Sequence, residues 1–255
     1  MRRFFVEEIH ATDGRLTIPG REARHITRVL RMGPGDRFIL LDRKGARFQV
    51  CIESVNQGNV AILLERPLPA PPSSPVSIAI GQAVLKSGAM ELMIQKTTEL
   101  GVRSICPFIS ERTIVRPEAD KMAHRMRRWQ DIAIAASKQS DRAQPPEIMP
   151  VAPFPELLRS LVHTQALKLI LWEAEESNTL KSVLRPFGSR SPTVLALVGP
   201  EGGFTQGEIS LSAETGFISV SLGPQTLRAE TAAVAVAAAL QYEFADSERE
   251  ETAHA

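Results

Sequence analysis

The sequence predicts a two-part α/β protein: a small β-barrel followed by a larger domain built on a mostly parallel sheet. Three observations carry this expectation. Short, partly alternating apolar runs fill residues 37–64. A segment with five prolines, 66–75, interrupts the chain. From residue 76 onward, short β-branched runs alternate with helical periodicities, the pattern of a sheet covered on both faces.

In the N-terminal part, 1–66, Glu22 to Leu30 reads as a short helix. Arg37 to Leu41, Phe48 to Val55 and Val60 to Leu64 read as strands, separated by Gly35-Asp36, Arg43-Lys44-Gly45 and Asn56-Gln57-Gly58-Asn59 as turns. Residues 67–75 form an extended spacer, because proline fixes φ and lacks an amide donor. In the domain 76–245, buried strands are expected at Val76–Ile80, Ser104–Ile109, Leu167–Trp172, Thr193–Val198 and Phe217–Leu222. Met90, Met93, Ile94, Thr97 and Leu100 share one helical face, and Gly101 supplies the stop. A helix from Lys121 to Ser137 buries Met122, Met126, Trp129 and Ala133, with Arg125, Arg127 and Arg128 on its other side. Pro155 opens a helix that buries Leu157, Leu158 and Leu161. An alanine-rich helix runs from Glu230 to about Phe244, and the polar tail 246–255 is expected to be disordered.

Bulk properties exclude several classes. No apolar run approaches the roughly 18 residues that span a bilayer, and the N-terminus lacks a leader's apolar region, so a cytoplasmic protein is expected. Cys51 and Cys106 are isolated and the five histidines are scattered, so neither a disulfide framework nor a metal site is expected. The net charge of +1 conceals an asymmetry. Residues 1–150 hold 23 lysines and arginines against 16 acids, and residues 151–255 hold 7 against 13. A basic front half suits a polyanion, although uneven surface composition gives the same numbers.

Two strand ends carry the chemistry, since open α/β sheets bind ligands beyond the carboxyl ends of their strands. In the first, Leu195 to Val198 runs into Gly199-Pro200-Glu201-Gly202-Gly203-Phe204, and Thr205 with Glu208 forms a capping box that starts a helix. This unit suits a nucleotide or an anionic group, or is a tight βα turn that needs glycine for shape. It is neither a P-loop nor a GxGxxG fingerprint. In the second, Val220-Ser221-Leu222-Gly223-Pro224 leads to Leu227-Arg228-Ala229-Glu230-Thr231 at a helix start. Glu230 there favours the helix macrodipole. Arg228 opposes it, which points to an acidic partner or ligand unless it is an ordinary surface arginine.

Together, Gly199-Pro200-Glu201-Gly202-Gly203-Phe204, Leu222-Gly223 and Leu227-Arg228-Ala229-Glu230-Thr231-Ala232 resemble the signature of the SPOUT methyltransferases. More narrowly the chain resembles the ribosomal RNA small subunit methyltransferase E family, which makes N3-methyluridine in 16S RNA. Arg24 to Arg31, Gln82-Ala83 with Lys86, Gln95-Lys96, Glu99 to Val102, Arg128-Trp129 and Ala135 to Arg142 extend the likeness along nearly the whole chain. Two positions depart: Lys138 stands where an acidic residue is expected, and Asp141 where glycine is expected.

The resemblance implies a trefoil-knotted SPOUT domain, a PUA-like N-terminal barrel, a homodimer joined through the knots, and S-adenosylmethionine held in the knot. By the same resemblance, the backbone of Leu197, Val198, Gly199, Glu201, Gly202 and Gly203 and of Leu222, Gly223 and Leu227 is expected to enclose the cofactor, with Leu171 at the preceding strand end and Arg228 beside it. Arg228 would stabilise charge on the uridine, and Glu201 or Glu230 would accept its N3 proton, unless these glutamates only cap and brace loops. Arg24, His25, Arg28, Arg31 and Lys86 are candidate RNA contacts, with Lys96 and Arg112 as additions. Arg24, Arg28 and Arg31 are spaced to share one helix side. The partner is 16S ribosomal RNA or the small ribosomal subunit, with no membrane and no metal. Two other readings stand beside this one: a methyltransferase of the same superfamily acting at another RNA position, and a non-catalytic RNA-binding protein with a vestigial knot.

Overall fold

A computed structural model of the chain describes residues 1–42, 44–56, 58–71, 74–116, 119–187 and 193–245. The expected tail, 246–255, lies outside them. The chain divides into two compact units, residues 1–72 with 134–145, and residues 73–133 with 146–255.

The first unit contains β1 (Arg3–Phe5), β2 (Arg15–Ile18), α1 (Gly20–Arg24), β3 (Arg37–Leu41), β4 (Arg47–Asn56) and β5 (Asn59–Pro67). They form one five-stranded sheet in the order β1-β3-β4-β5-β2. Alternation along β3, β4 and β5 turns Phe38, Leu40, Val50, Ile52, Val60 and Ile62 inward onto one core. Two register shifts between β4 and β5, at Gln49/Val50 and Ile52/Ser54, curl this sheet. β1 and β2 were not anticipated, because three and four residues are too few to show alternation.

The helix expected at 22–30 needs correction. α1 ends at Arg24, and His25–Val29 continues as a π-helical turn in which Leu30 N donates to His25 O at 3.0 Å. Met32 N then donates to Ile26 O, which closes the turn with both side chains buried. Arg31, at φ +53°, is the left-handed residue that makes this closure possible, so it does not share a helix side with Arg24 and Arg28. The wider π turn also breaks the 3.6-residue phase on which that expectation rested.

The two departures from the family pattern are explained inside this unit. Asp141 has φ +58°, the left-handed conformation that glycine adopts freely. Its carboxylate lies 2.8 Å from Arg3 Nε and accepts from Arg47 Nη2 at 2.9 Å. Lys138 Nζ donates to Glu22 Oε1 at 2.9 Å. Both side chains are thus ion-paired within this unit.

The second unit contains β6 (Ser77–Ala83), α2 (Ser87–Glu99), β7 (Ser104–Ile109) and α3 (Ala119–Gln139), whose last turns count with the first unit. Next come β8 (Glu147–Ile148), β9 (Ala152–Pro153), α4 (Phe154–Leu161), β10 (Leu167–Leu171) and α5 (Leu180–Leu184). It closes with β11 (Thr193–Val198), α6 (Gln206–Glu214), β12 (Ile218–Val220) and α7 (Ala229–Glu243). The strands form a parallel sheet in the order β12-β10-β11-β6-β7-β8, with β9 also on β7. The expected strands Ser104–Ile109 and Thr193–Val198 are found with the same limits. β10 and β11 are buried on both faces, as a covered parallel sheet requires, and the one charge on β10, Lys168, reaches Val162 O at 2.8 Å.

One face of the sheet packs against α2, α3 and α7 through Met90, Met93, Trp129, Ala133, Val236 and Leu240. The other carries Phe108, Phe154, Leu158, Phe204 and Ile209. Gly101, at φ +84°, ends the α2 region as expected, and Gln241 Nε2 from α7 donates to the neighbouring Leu100 O at 2.8 Å. The alanine-rich sequence of α7 lets its backbone approach β6, β11 and α2 closely.

Cys106 is buried on β7, and burial pushes its thiol up to about 11. Thiolate therefore appears only as pH approaches that value, and at pH 8 roughly one thiol in a thousand is ionised. Iodoacetamide at pH 8 is expected to leave Cys106 unlabelled in the native protein and to label it fully in denaturant. Peptide mass spectrometry reads the difference, and equal labelling in both states would contradict this placement.

Candidate active site

The carboxyl ends of three adjacent strands, β10, β11 and β12, open into one cavity of about 650 Å³. Leu171, Val198 and Val220 floor it. The loops 199–204 and 221–228 wall it, and the first turns of α2 and α7 complete it with Lys86, Ala89, Ala229, Glu230 and Ala232. The two glycine–proline loops, separated by about twenty residues of sequence, thus face the same space.

The first loop is held from several sides. Gly203 N donates to Pro200 O at 3.0 Å, closing a turn in which Gly203 has φ +67°. The positive φ favours glycine, and a Cβ at Gly203 would meet the Glu173 carboxylate and push that side chain aside. Gln82, fully buried at the end of β6, donates from Nε2 to Gly199 O at 3.2 Å and Val198 O at 3.4 Å. Arg112 Nη1 donates to Gly202 O at 2.9 Å. Phe204 leaves the loop and stacks at 6.2 Å from Phe108 and 5.5 Å from Phe154.

The expected capping box is present: Thr205 Oγ1 accepts from Glu208 N, and Glu208 Oε2 accepts from Thr205 N at 2.9 Å. The buried Glu208 also accepts Glu111 N at 2.9 Å, which ties the 110–113 loop to the start of α6. Glu208→Ala removes a cap and strands two backbone donors. It is expected to cost about 2–3 kcal/mol in urea unfolding. A loss below about 0.5 kcal/mol, the range of ordinary surface changes, would contradict this role.

The second loop is fixed at its start. Ser221 N donates to Asn178 O at 2.9 Å, and Leu180 N donates to Ser221 O at 3.0 Å. Gly223 has φ +138°, and the loop then runs free to Arg228, which precedes α7 without capping it.

Of the expected site residues, Leu171, Val198, Gly199, Glu201, Gly202, Gly203, Leu222, Gly223, Leu227, Arg228, Glu230 and Lys86 all line the cavity. Leu197, expected through its backbone, is not among the lining residues, and its side chain fills the space left by Gly81 on the opposite face. Glu201 Oε1 accepts Lys86 N at 3.3 Å, so this carboxylate braces the entry to α2. The side chains of Lys86, Glu173, Arg228 and Glu230 have no hydrogen bond or ion pair among the described residues. Four unpaired charges around one cavity constitute an arrangement that a zwitterionic ligand or a polar base completes. Arg24, His25, Arg28 and Arg31 are exposed on the first unit, where the His25 ring stands edge-on to Phe4 at 5.9 Å.

One contributor escaped the sequence reading, and two were named there for other reasons, Gln82 as part of the family likeness and Arg112 as an RNA contact. Glu173 lies two residues beyond the end of β10, where the strand-end rule would have found it. Gln82 and Arg112 act through loop carbonyls, and no spacing announces that. Among the described residues no group of three or more His, Cys, Asp or Glu is placed to hold a metal, and no helix is long and apolar enough to cross a membrane.

Comparison with known proteins agrees with this geometry. The family described as RNA methyltransferase domain matches residues 72–241, and that described as RNA methyltransferase PUA domain matches residues 18–65. The chain is 32% identical to a ribosomal RNA small subunit methyltransferase E of Synechocystis, over 90% of this chain and 74% of the relative. A methyltransferase of Legionella pneumophila, solved with its cofactor S-adenosylmethionine, superposes with a TM-score of 0.86 at 34% identity, covering 94% of this chain and 96% of that one. The ribosomal RNA small subunit methyltransferase E of Neisseria gonorrhoeae, also solved with S-adenosylmethionine, gives 0.85 at 32% identity, covering 95% and 97%. A curled N-terminal sheet, a parallel C-terminal sheet with a cavity at its strand ends, and these matches together place the chain in the ribosomal RNA small subunit methyltransferase E family of RNA methyltransferases.

Proposed function

We propose that this protein transfers a methyl group from S-adenosylmethionine to N3 of a uridine in the 16S RNA of the small ribosomal subunit, in the cytoplasm and as a homodimer. The observation that carries this reading is the single cavity between the loops 199–204 and 221–228, with Arg228 and Glu230 unpaired at its edge. Its volume of about 650 Å³ lies in the usual range for small-ligand sites. Its chemistry fits the cofactor: Leu171, Val198, Leu222 and Leu227 offer apolar walls to an adenine, and the glycine loops offer bare backbone.

When bound, S-adenosylmethionine supplies an already activated methyl group. The protein's task is then to position the acceptor and manage its proton. Uridine N3 is a poor nucleophile while protonated. Glu230, in the first turn of α7, accepts this proton directly or through water. Glu201 is the lesser candidate, because one of its oxygens already takes Lys86 N. Arg228 donates to the carbonyl oxygen on which the resulting negative charge gathers, and it stays protonated throughout.

Arg24, His25, Arg28 and Arg31 on the first unit, with Lys86 at the cavity, would meet RNA phosphates and make binding salt-dependent. The acceptor base would leave any stack to enter the cavity. A trefoil threading of the chain is supported by α7, which returns from the edge strand β12 to lie on β11, β6 and α2.

Mass spectrometry of ribosomal RNA from cells lacking this protein tests the assignment. One N3-methyluridine of the small subunit RNA is expected to disappear and to return on complementation. An unchanged modification pattern would overturn it.

A further inference from the structure

The cavity's charges are not evenly provided for. Glu201 has the Lys86 backbone donor, and Glu230 sits in the first turn of α7, where the helix dipole favours a negative charge. Glu173 has neither: it lines the cavity with no hydrogen bond or ion pair among the described residues. Its place is defined. It follows the end of β10, the strand between β12 and β11, and its carboxylate lies against Gly203 of the first loop. The absence of a side chain at Gly203 is what makes room for it.

A carboxylate held at a strand end with no donor of its own is completed by a ligand that brings donors. We propose that Glu173 is the acceptor for the ribose hydroxyls of the adenosyl ligand, and so a residue by which the cavity selects a ribonucleoside. This rests on the reading of the cavity as the S-adenosylmethionine site.

Two arguments favour the ribose over the cationic end of the same molecule. The transferable methyl must face the acceptor base, and the groups that would serve that base, Arg228 and Glu230, belong to the second loop and α7. Glu173 follows β10 and its carboxylate lies against the first loop, which leaves it for the part of the ligand behind the reacting centre. The two oxygens of a carboxylate also match the two hydroxyls of a vicinal diol. An acidic residue near the carboxyl end of a strand is a recurrent ribose anchor in nucleotide-binding sheets.

The test is a chemical double-mutant cycle by titration calorimetry. It uses the full chain and its E173A variant, with S-adenosylhomocysteine, the 2′-deoxy analogue of that compound, and 5′-methylthioadenosine. Unchanged thermal midpoints would confirm that the variant is folded, which the exposure of Glu173 favours. In the unmodified protein, loss of the 2′-hydroxyl is expected to weaken binding about tenfold or more, the usual loss for a hydrogen bond to a charged group. In E173A the same deletion is expected to change affinity less than about twofold. 5′-Methylthioadenosine, which keeps the ribose and lacks the amino-acid end, is expected to feel E173A as strongly as S-adenosylhomocysteine does. An equal 2′-hydroxyl penalty in both proteins would overturn the proposal, and so would an E173A effect confined to S-adenosylhomocysteine. Failure of the unmodified protein to bind any of the three compounds would instead remove the underlying cofactor reading.

Discussion

Replacing Arg228 with alanine is expected to lower the methylation rate by about 10²–10³-fold while changing S-adenosylmethionine affinity less than about threefold. Arg228 lines the cavity, precedes α7 without capping it, and has no ion pair among the described residues. A guanidinium beside a helix N-terminus is electrostatically disfavoured, so its position argues for a partner that appears during the reaction. The developing uridine anion is such a partner. Because that charge is absent from the ground state, removing Arg228 should affect turnover far more than cofactor binding. Lysine at this position keeps the charge and loses the planar fork, so R228K should fall between the two. Single-turnover methylation and calorimetry together read the split. Equal losses in rate and cofactor affinity would remove the proposed role.

Phe204→Ala is expected to be the most damaging change near the site for stability, at about 3–5 kcal/mol. Phe204 is buried, and its ring joins Phe108 and Phe154 beneath the first loop while covering Gly199. Truncation would open a void in a packed aromatic cluster and release the loop from the core at the same point. Denaturant unfolding should show the stability loss, and cofactor affinity should fall with it because the loop's fixed shape is lost. A stable variant with unchanged affinity would show that the loop is held by Gln82 and Arg112 alone.

Local chemistry made much of this site legible. The capping box of Thr205 and Glu208 was readable because both partners lie within one helical turn. The limits of β7 and β11 were readable because a covered parallel strand is apolar on both faces. That the two glycine–proline loops meet came from the strand-end rule and the family resemblance, since nothing in the intervening sequence says that β12 lies beside β10.

What was not legible depends on non-local or non-repeating geometry. The π turn at His25–Val29 repeats no pattern, so Arg31 was assigned to a helix side that it does not share. The left-handed backbone at Asp141 is stabilised by Arg3 and Arg47, nearly a hundred residues or more away in sequence. Glu201 was an equal candidate base until its bond to Lys86 N favoured Glu230.

The central claim is that the loops after β11 and β12 enclose one methyl-donor site. A crystal structure of the full chain grown with S-adenosylmethionine tests it most directly. The expected density lies between residues 198–204 and 221–228, with the methyl group directed toward Arg228 and Glu230. Density for the compound at any other place, or these loops held apart around it, would contradict the account.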